Sequence, residues 1–286
     1  MSNNGSASPA IVIRGVGKEY AQRNRKSGSN VVLQDVDLEI RTGEFVSLVG
    51  TSGCGKTTLL RMIGGLTAYE PGEIYVEGKL VRSIPRRIGF VFQDSALMPW
   101  QTVWENVRVG LNESRRQFSR DEIKSKVDAA LELVGLGAYA NYLPRHISGG
   151  MQQRAGLARA LVGQPDILLM DEPFGALDAF TRMRLQEELA SIVARTSATT
   201  VFVTHDVDEA VFLSDRVAVM SANPGTITAL IDIDIPRPRL QRTEMLGNYH
   251  VAQLRDHVLS LVLNGGGTAG ERAARRDEPE PTWSRN

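Results

Sequence analysis

The segment from residue 44 to residue 66 constrains the fold of this chain more than any other. A continuous apolar strand, Glu44 to Val49, is followed by a glycine-rich turn and then by the helix-like stretch TTLLRMIGGL. Strand, glycine-rich loop and helix in this order are typical of a parallel α/β unit. The fold class is therefore predicted to be α/β.

The turn itself, GTSGCGKT from Gly50 to Thr57, matches the pattern G-x-x-x-x-G-K-[ST]. Its glycines let successive backbone N–H groups point at phosphate oxygens, and the positive end of the following helix adds to the attraction. Lys56 is expected to reach the β and γ phosphates, and the Thr57 hydroxyl to ligate Mg²⁺. The alternative is a chance glycine-rich turn, but the position between strand and helix favours phosphate binding.

A second apolar strand ends in two carboxylates, Asp171 and Glu172, after the run Ile167 to Met170. In a nucleoside triphosphatase this position places Asp171 beside the magnesium ion and Glu172 closer to the γ phosphate. Glu172 is therefore the candidate that orients or deprotonates the attacking water. Taken alone, the pair could equally be a solvated strand end. The phosphate-binding loop upstream makes the catalytic interpretation specific.

Composition limits the possible partners and the compartment. The 33 basic residues balance the 33 acidic ones, so no long-range field favours nucleic acid, and no nucleic-acid partner is expected. The single cysteine, Cys54, excludes a disulfide framework and fits a reducing compartment. Because Cys54 lies in the phosphate-binding loop, it is either a reactive thiol or simply a small residue that fits.

The remaining chain predicts one α/β core interrupted by a helical subdomain. Strands are expected at Ile11–Arg14 and Val31–Ile40, with a hairpin loop at Gln22–Asn30. The helical subdomain is expected at about residues 95–160, with Ser119 as an N-cap. The proposed boundaries are disordered termini at 1–9 and 265–286, a catalytic domain at 10–240 and a short helical extension at 241–264, with its helix around Asp256 and Leu259–Leu263.

The segment Ser148 to Arg154, SGGMQQR, identifies the chain as similar to the ABC ATPase family. The family signature is L-S-G-G-Q followed by Gln-Arg, and here Ile147 replaces the leucine and Met151 the first glutamine. Ser148, Gly149 and Gly150 keep the groups that would hold a phosphate. A serine N-cap at the start of a helix explains the same residues structurally, and the two roles are compatible.

Four further elements follow the order of that family. The resemblance implies that Gln93 senses Mg²⁺ and the attacking water, that His205 contacts the γ phosphate, and that Tyr20 stacks on adenine. Gly175 to Asp178, GALD, resembles the family's D-loop. The resemblance thus implies an ABC ATPase core with an antiparallel β subdomain and an inserted α-helical subdomain. The implied ATP-contacting residues are Tyr20, Gly50, Ser52, Gly53, Cys54, Gly55, Lys56, Thr57, Thr58, Ser148, Gly149, Gly150 and Asp178; Glu172, His205 and Gln93 are catalytic, and Thr57, Gln93 and Asp171 hold Mg²⁺.

The family mechanism implies a second copy of the chain as the first partner. Two cassettes would dimerise head to tail, so that the phosphate-binding loop of one faces Ser148 of the other across each ATP. Hydrolysis would need both halves, because phosphoryl transfer is accelerated mainly by positioning and charge neutralisation.

The segment Asp94 to Val107, in which Pro99-Trp100 is followed by Thr102-Val103 and Glu105-Asn106-Val107, is similar to the nitrate, sulfonate and taurine importer group. So is the late segment Asn223–Ile227 with Ile235–Arg239, although both could be structural instead. In such importers the groove around 94–107 receives a helix of the membrane permease, and Leu97, Trp100 and Trp104 are the expected contacts. The implied location is the cytoplasmic face of the membrane, with a solute-binding protein as an indirect partner.

Other ABC proteins remain as alternatives, namely a soluble iron–sulfur assembly ATPase and an exporter ATPase. Lys56 and Asp171 lie too close in sequence for the long coiled-coil insertion of repair ATPases. A small-molecule kinase would share the phosphate-binding loop but would have no use for Ser148, Asp178 and His205. The transported solute is not encoded in this chain, since the ATPase subunit does not touch it.

Overall fold

The computed structural model describes residues 9–21, 29–111, 118–175, 177–236, 245 and 247–265. The strands are β1 Pro9–Ala21, β2 Ser29–Arg41, β3 Phe45–Gly50, β4 Glu73–Val76, β5 Lys79–Leu80, β6 Ile88–Val91, β7 Ile167–Asp171, β8 Thr199–Val203, β9 Arg216–Ser221 and β10 Thr226–Asp232. The helices are α1 Lys56–Ile63, α2 Val103–Val109, α3 Arg120–Leu133, α4 Gly149–Leu161, α5 Ala179–Thr196, α6 Val207–Leu213 and α7 Tyr249–Gly265.

A six-stranded sheet with the order β10-β9-β3-β8-β7-β6 forms the centre of the fold. Its neighbours from β9 to β6 are parallel, and only β10 runs antiparallel to β9. Every residue of β3, β7 and β8 is buried, as expected for strands covered by other elements on both faces. The carboxyl ends of β3, β7 and β8 meet at one edge, which we call the carboxyl edge. The predicted α/β class is confirmed.

A second sheet, β2-β1-β4-β5, is entirely antiparallel and forms the predicted β subdomain. Helix α1 lies between the two sheets, where Leu59, Leu60 and Met62 are fully buried. Both strands of the first hairpin are longer than predicted, because bulges let β1 stay paired along its length. Asn30 belongs to β2 and pairs with Tyr20, so the predicted hairpin loop is shorter at that end, while residues 22–28 lie outside the described residues.

Helices α2, α3 and α4 are inserted between β6 and β7, as the sequence predicts for this region. Capping boxes start the first two: Thr102 and Glu105 on α2, and Ser119 and Glu122 on α3. The N-cap expected at Ser119 is confirmed, since its hydroxyl accepts a hydrogen bond from the Glu122 N–H at 3.2 Å. Val107, Val127 and Leu131 of this subdomain are buried in one apolar cluster with β7.

The C-terminal helix α7 is longer than the short helix predicted around Asp256. It begins at Tyr249, where Asn248 accepts a hydrogen bond from the His250 N–H at 2.9 Å. Val258 is fully buried against β9 and α6, so packing extends the helix beyond its local signals. Pro9 and Gly265, expected in disordered termini, belong to β1 and α7; residues 1–8 and 266–286 lie outside the described ranges. No helix within those ranges is both long and apolar enough to cross a membrane.

Candidate nucleotide site

The phosphate-binding loop connects β3 to α1 and turns back on itself at glycines. Gly55 has φ +98°, a conformation that L side chains rarely adopt, and a Cβ there would lie 2.5 Å from Cδ2 of Leu33. At Gly50 a Cβ would lie 2.5 Å from the Met220 carbonyl oxygen. Glycine at these two positions therefore lets β9 and β2 pack directly against the loop. Ser52 and Gly53 at its tip are exposed, and Thr57 and Thr58 are half-buried.

Lys56 occupies the centre of the loop and is only 6% exposed. Its Nζ donates hydrogen bonds to the carbonyl oxygens of Gly50 at 2.8 Å and Thr51 at 3.1 Å. A buried ammonium is costly unless its donors are satisfied, and here main-chain carbonyls satisfy two of them. The loop thus holds a cation where phosphate oxygens are expected to bind.

Cys54 is fully buried in the same loop, and its Sγ lies 3.7 Å from Lys56 Nζ. Gly225, in the segment singled out at Asn223–Ile227, packs on Cys54: a Cβ at Gly225 would lie 2.0 Å from the Cys54 carbonyl oxygen. This burial favours the interpretation of Cys54 as a small residue that fits over that of a reactive thiol. It also gives the late segment a structural role behind the loop. Residues 237–239 of the second half of that motif lie outside the described residues.

The acidic strand end lies beside Thr57. The Thr57 hydroxyl donates to Asp171 Oδ1 at 2.7 Å, and Arg61 Nη2 lies 3.8 Å from Asp171 Oδ2. Burial raises the pKa of the Asp171 carboxyl, and the bond from Thr57 and the charge of Arg61 oppose that rise. A hydroxyl and a carboxylate oxygen side by side are ligands that Mg²⁺ accepts together with phosphates and water. These residues therefore fit a magnesium ion.

Glu172 and His205 meet at the carboxyl edge. Glu172 Oε2 lies 3.1 Å from Nδ1 of His205, although β7 and β8 deliver the two residues from separate parts of the chain. The Glu172 side chain is 22% exposed and that of His205 is 61% exposed, so water can reach the pair. Glu172 has φ +43°, and its N–H donates to the Val203 carbonyl at 3.0 Å. The carboxylate is thus fixed at both backbone and side chain, in reach of solvent.

Gln93 and Tyr20 lie nearer the surface. Gln93 is exposed and follows β6, whose end at Val91 pairs with Met170, so it belongs to the carboxyl edge. Tyr20, near the end of β1, is 45% exposed, with Lys18 Nζ 5.1 Å from its ring centroid. Its ring is available for stacking, and the adjacent residues 22–28 lie outside the described residues.

Ser148, Gly149 and Gly150 form a separate patch at the start of α4. Ser148 caps the helix, accepting from the Met151 N–H at 3.4 Å, and the predicted capping role is confirmed. Ser148 and Gly149 are exposed, and a Cβ at Gly149 would meet no atom within 4 Å. Within the described ranges, no hydrogen bond or ion pair joins this patch to the phosphate-binding loop. Met151, the departure from the family pattern, packs against the apolar core.

Asp178 lies next to that patch. It caps α5 by accepting from the Thr181 N–H at 3.1 Å, and hydrogen bonds from Thr181 hold the pKa of its carboxyl below the usual value. A Cβ at Gly150 would lie 2.8 Å from Thr181 Cγ2, so the starts of α4 and α5 touch. Asp178 and Phe180 are exposed, Phe180 to 87%. Ala176, in the same predicted loop, lies outside the described residues.

The structure therefore brings together Lys56, Thr57, Asp171, Glu172 and His205, whereas Ser148 and Asp178 are exposed caps at the starts of α4 and α5. Sequence reasoning missed Arg61, which contacts Asp171, and Glu209, which lies behind His205. Arg61 lies four residues after Thr57 on α1, so helical spacing could have indicated that it shares the face of Thr57. Glu209 had no comparable signal, because its partner Gln186 lies 23 residues earlier on another helix and Thr204 lies outside α6.

Comparisons with known proteins agree with this geometry. The family model described as ABC transporter matches residues 33–175. The aliphatic sulfonates import ATP-binding protein of Bacillus cereus is 41% identical over 90% of this chain and 97% of its own length. The nitrate import ATP-binding protein of Synechococcus elongatus is 44% identical over 82% of this chain, which spans 36% of that longer protein. A dimeric structure of the ATP-binding cassette MJ0796 with ADP and phosphate is 32% identical, with a TM-score of 0.69 over 78% of this chain and 98% of the other.

Proposed function

The chain belongs to the ABC transporter family, and we propose on that premise that it binds and hydrolyses ATP to energise a membrane importer. One observation carries the proposal: Lys56, the Thr57–Asp171 pair and the Glu172–His205 pair converge at one edge of the sheet. These groups supply a cation for the phosphates, ligands for a metal and a carboxylate for the attacking water. A phosphoryl-transfer site needs all three.

Each side chain has a distinct proposed role. Lys56 would exchange its carbonyl partners for phosphate oxygens, aided by backbone N–H groups from Gly50 to Thr58. Thr57, Asp171 and Gln93 would hold Mg²⁺, which neutralises developing phosphate charge when bound. Glu172 would take a proton from water or orient it, and His205 would hold Glu172 and reach the γ phosphate. Tyr20 would stack on the adenine.

A second copy of this chain would complete the site. Ser148, Gly149 and Asp178 are exposed, so they are available to a neighbouring molecule. The dimeric form of the related cassette supports this assembly. Phe180, beside Asp178, adds exposed apolar surface that a dimer would cover. In the sandwich, each ATP would lie between Lys56 of one copy and Ser148 of the other.

The permease is the second proposed partner. The three residues expected to contact it differ in how exposed they are. Trp100 is 75% exposed, whereas Leu97 packs against the core. Trp104 is half-buried, donates from Nε1 to Asp128 at 2.9 Å and lies under the Arg108 guanidinium. Trp104 lines a cleft of about 790 Å³ between α2 and α3, which Arg108, Arg120 and Asp128 also line. We propose that a permease helix binds at this cleft, and that Trp100, which does not line it, makes a further exposed aromatic contact.

The solute is proposed from the relatives alone. Proteins named for the import of aliphatic sulfonates and nitrate, and one named for bicarbonate transport, are 41–44% identical to this chain. Their common chemistry is a small oxyanion, and taurine, itself a sulfonate, belongs to the same class. A periplasmic or extracellular solute-binding protein would supply selectivity, and this chain would lie at the cytoplasmic face of the membrane. The relatives favour this function over an exporter or an iron–sulfur assembly ATPase.

The deciding experiment is steady-state phosphate release from MgATP by the full chain as a function of protein concentration. Glu172→Gln is the test variant, and Glu39→Gln, which changes an exposed glutamate on β2, is the matched control. We expect activity to rise more steeply than linearly, and the Glu172 variant to dimerise with ATP but release no phosphate. Strictly linear activity from a monomer, or phosphate transferred to an acceptor and none to water, would contradict the proposal.

A further inference from the structure

A buried carboxylate that the proposed chemistry does not use lies behind His205. Glu209, on α6, is 5% exposed, and burial raises the pKa of its carboxyl. Oε2 accepts a hydrogen bond from Thr204 Oγ1 at 2.6 Å, and Oε1 accepts one from Gln186 Nε2 at 2.7 Å. A buried polar group is retained only where its partners satisfy it. The two bonds therefore fix Glu209 in one orientation between β8 and α5.

Thr204 connects Glu209 to the site. It follows the last residue of β8 and directly precedes His205, and it is 2% exposed. Its hydroxyl donates to Glu209 and accepts from the Asp206 N–H at 3.0 Å, so its single hydrogen is committed to the carboxylate. The Thr204 side chain thus connects the backbone on both sides of His205 to the Glu209 carboxylate. His205 itself is largely exposed; its ring contacts the Glu172 carboxylate, and the Thr204 N–H before it donates to the Leu48 carbonyl at 3.2 Å.

Helix α5 connects the same carboxylate to the loop at Asp178. Arg182 Nη2 donates to the Leu177 carbonyl at 3.0 Å, one residue before Asp178. The Arg182 guanidinium also lies 3.8 Å from Asp206 Oδ2 and 4.0 Å from Glu209 Oε1. Arg182 therefore contacts the Asp178 loop at one end and the groups that hold His205 at the other.

We propose that Glu209 is a positioning residue: through Thr204 it sets the place of His205 against Glu172, and through α5 it links that place to the Asp178 loop. The inference rests on the proposed function, in which His205 reaches the γ phosphate and Asp178 faces the second copy. A shift of α5 on dimerisation would move Gln186 and Arg182 together. Hydrolysis would then depend on dimer contact even though Glu209 touches neither ATP nor the partner.

The network also indicates which substitution it tolerates. Gln186 Oε1 is a buried atom without a hydrogen-bond partner within the described part of the chain. In Glu209→Gln, the new amide oxygen can accept from Thr204, and its NH₂ can donate to Gln186 if the Gln186 amide turns over. Glu209→Ala loses both bonds and leaves the donor hydrogen of the buried Thr204 hydroxyl without its acceptor. The Gln variant is therefore a conservative rescue of the Ala variant.

The test measures kcat and KM for MgATP hydrolysis by the full chain in five proteins: wild type, Glu209→Ala, Glu209→Gln, Thr204→Val and the double variant Thr204→Val with Glu209→Ala. Asp208→Ala, which removes an exposed carboxylate from the same first turn of α6, is the control. We expect kcat to fall at least tenfold in Glu209→Ala and Thr204→Val, with KM within about twofold of wild type. The double variant should be no slower than either single one, and Glu209→Gln should return to within threefold of wild type.

A second measurement keeps the inference testable where hydrolysis is absent. The chain has four histidines, so ¹⁵N-histidine labelling gives few ring signals to assign. In Glu209→Ala the His205 ring signals should shift or broaden, while those of His146 and His250 stay in place. Unchanged His205 signals, unchanged kcat, or a fall in apparent kcat that is fully explained by a matching loss of folded protein would overturn the inference. If wild type and Asp208→Ala both release no phosphate, the proposed function fails, and the histidine signals still decide the role of Glu209.

Discussion

His205 Nδ1 lies 3.1 Å from Glu172 Oε2, and this contact exists because β7 and β8 are adjacent parallel strands. Asp171 pairs with Val203 in that register, so the residues that follow each strand emerge side by side. The Glu172 carboxylate, which is partly open to water, is thus oriented by the His205 imidazole. The two residues are 33 positions apart in the chain, so their contact depends on the sheet and not on neighbouring sequence.

Replacing His205 by alanine should lower kcat by about 100-fold, because a freed Glu172 carboxylate no longer aligns the attacking water. ATP binding should change little, since Lys56 and the loop glycines remain. Phosphate release together with nucleotide titration checks both expectations. His257→Ala, on the exposed face of α7, serves as the control. Equal activity of the two variants would remove His205 from the mechanism.

Asp171→Asn should abolish hydrolysis and stabilise the nucleotide-free chain at neutral pH. Burial raises the folded-state pKa of Asp171, so its contribution to stability is fully present below the unfolded pKa and is lost as pH rises through the folded value. The stability advantage of Asn should therefore grow from about pH 4, the usual Asp value, upward. Thermal unfolding of both proteins across that range checks the sign. A constant difference at every pH would contradict the assignment.

Two glycine variants should separate folding from assembly. Gly55→Ala forces a rare φ and a clash with Leu33, so it should cost about 1–3 kcal/mol of stability and weaken ATP binding. Gly149→Ala meets open space on a helix, so its stability should change by less than about 1 kcal/mol. We nevertheless expect Gly149→Ala to impair ATP-driven dimerisation and hydrolysis. Chemical denaturation and size-exclusion with ATP measure the two effects; normal dimers would exclude this patch from the interface.

Trp100 and Trp104 should behave differently although both belong to one motif. Trp100→Ala should leave stability and basal hydrolysis near wild type but weaken assembly with the permease and uncouple hydrolysis from transport. Trp104→Ala should destabilise the chain by about 1–3 kcal/mol, because it removes buried contacts and the bond to Asp128. Thermal unfolding and co-purification with the permease distinguish them. Full transport by Trp100→Ala would rule out its role as a contact.

Much of the fold follows from local patterns. The apolar runs at β3, β7 and β8 are continuous because both faces of those strands are covered, and Ser119 starts α3 because its hydroxyl satisfies a free N–H of the helix. Strand and helix ends were less predictable. Bulges extend β1, and burial of Val258 extends α7, since tertiary packing stabilises residues whose local preferences are weak.

The sequence by itself determined the phosphate-binding loop, the acidic strand end and the patch at Ser148, because each is a short run whose chemistry depends on neighbouring residues. Tertiary structure alone decided that Thr57 meets Asp171, that Glu172 meets His205, and that Glu209 lies beneath them. The Thr57–Asp171, Glu172–His205 and Gln186–Glu209 contacts join residues 114, 33 and 23 positions apart, so their distances depend on how strands and helices pack. A linear motif shows which residues are present, but it does not show how far apart they lie in the folded chain.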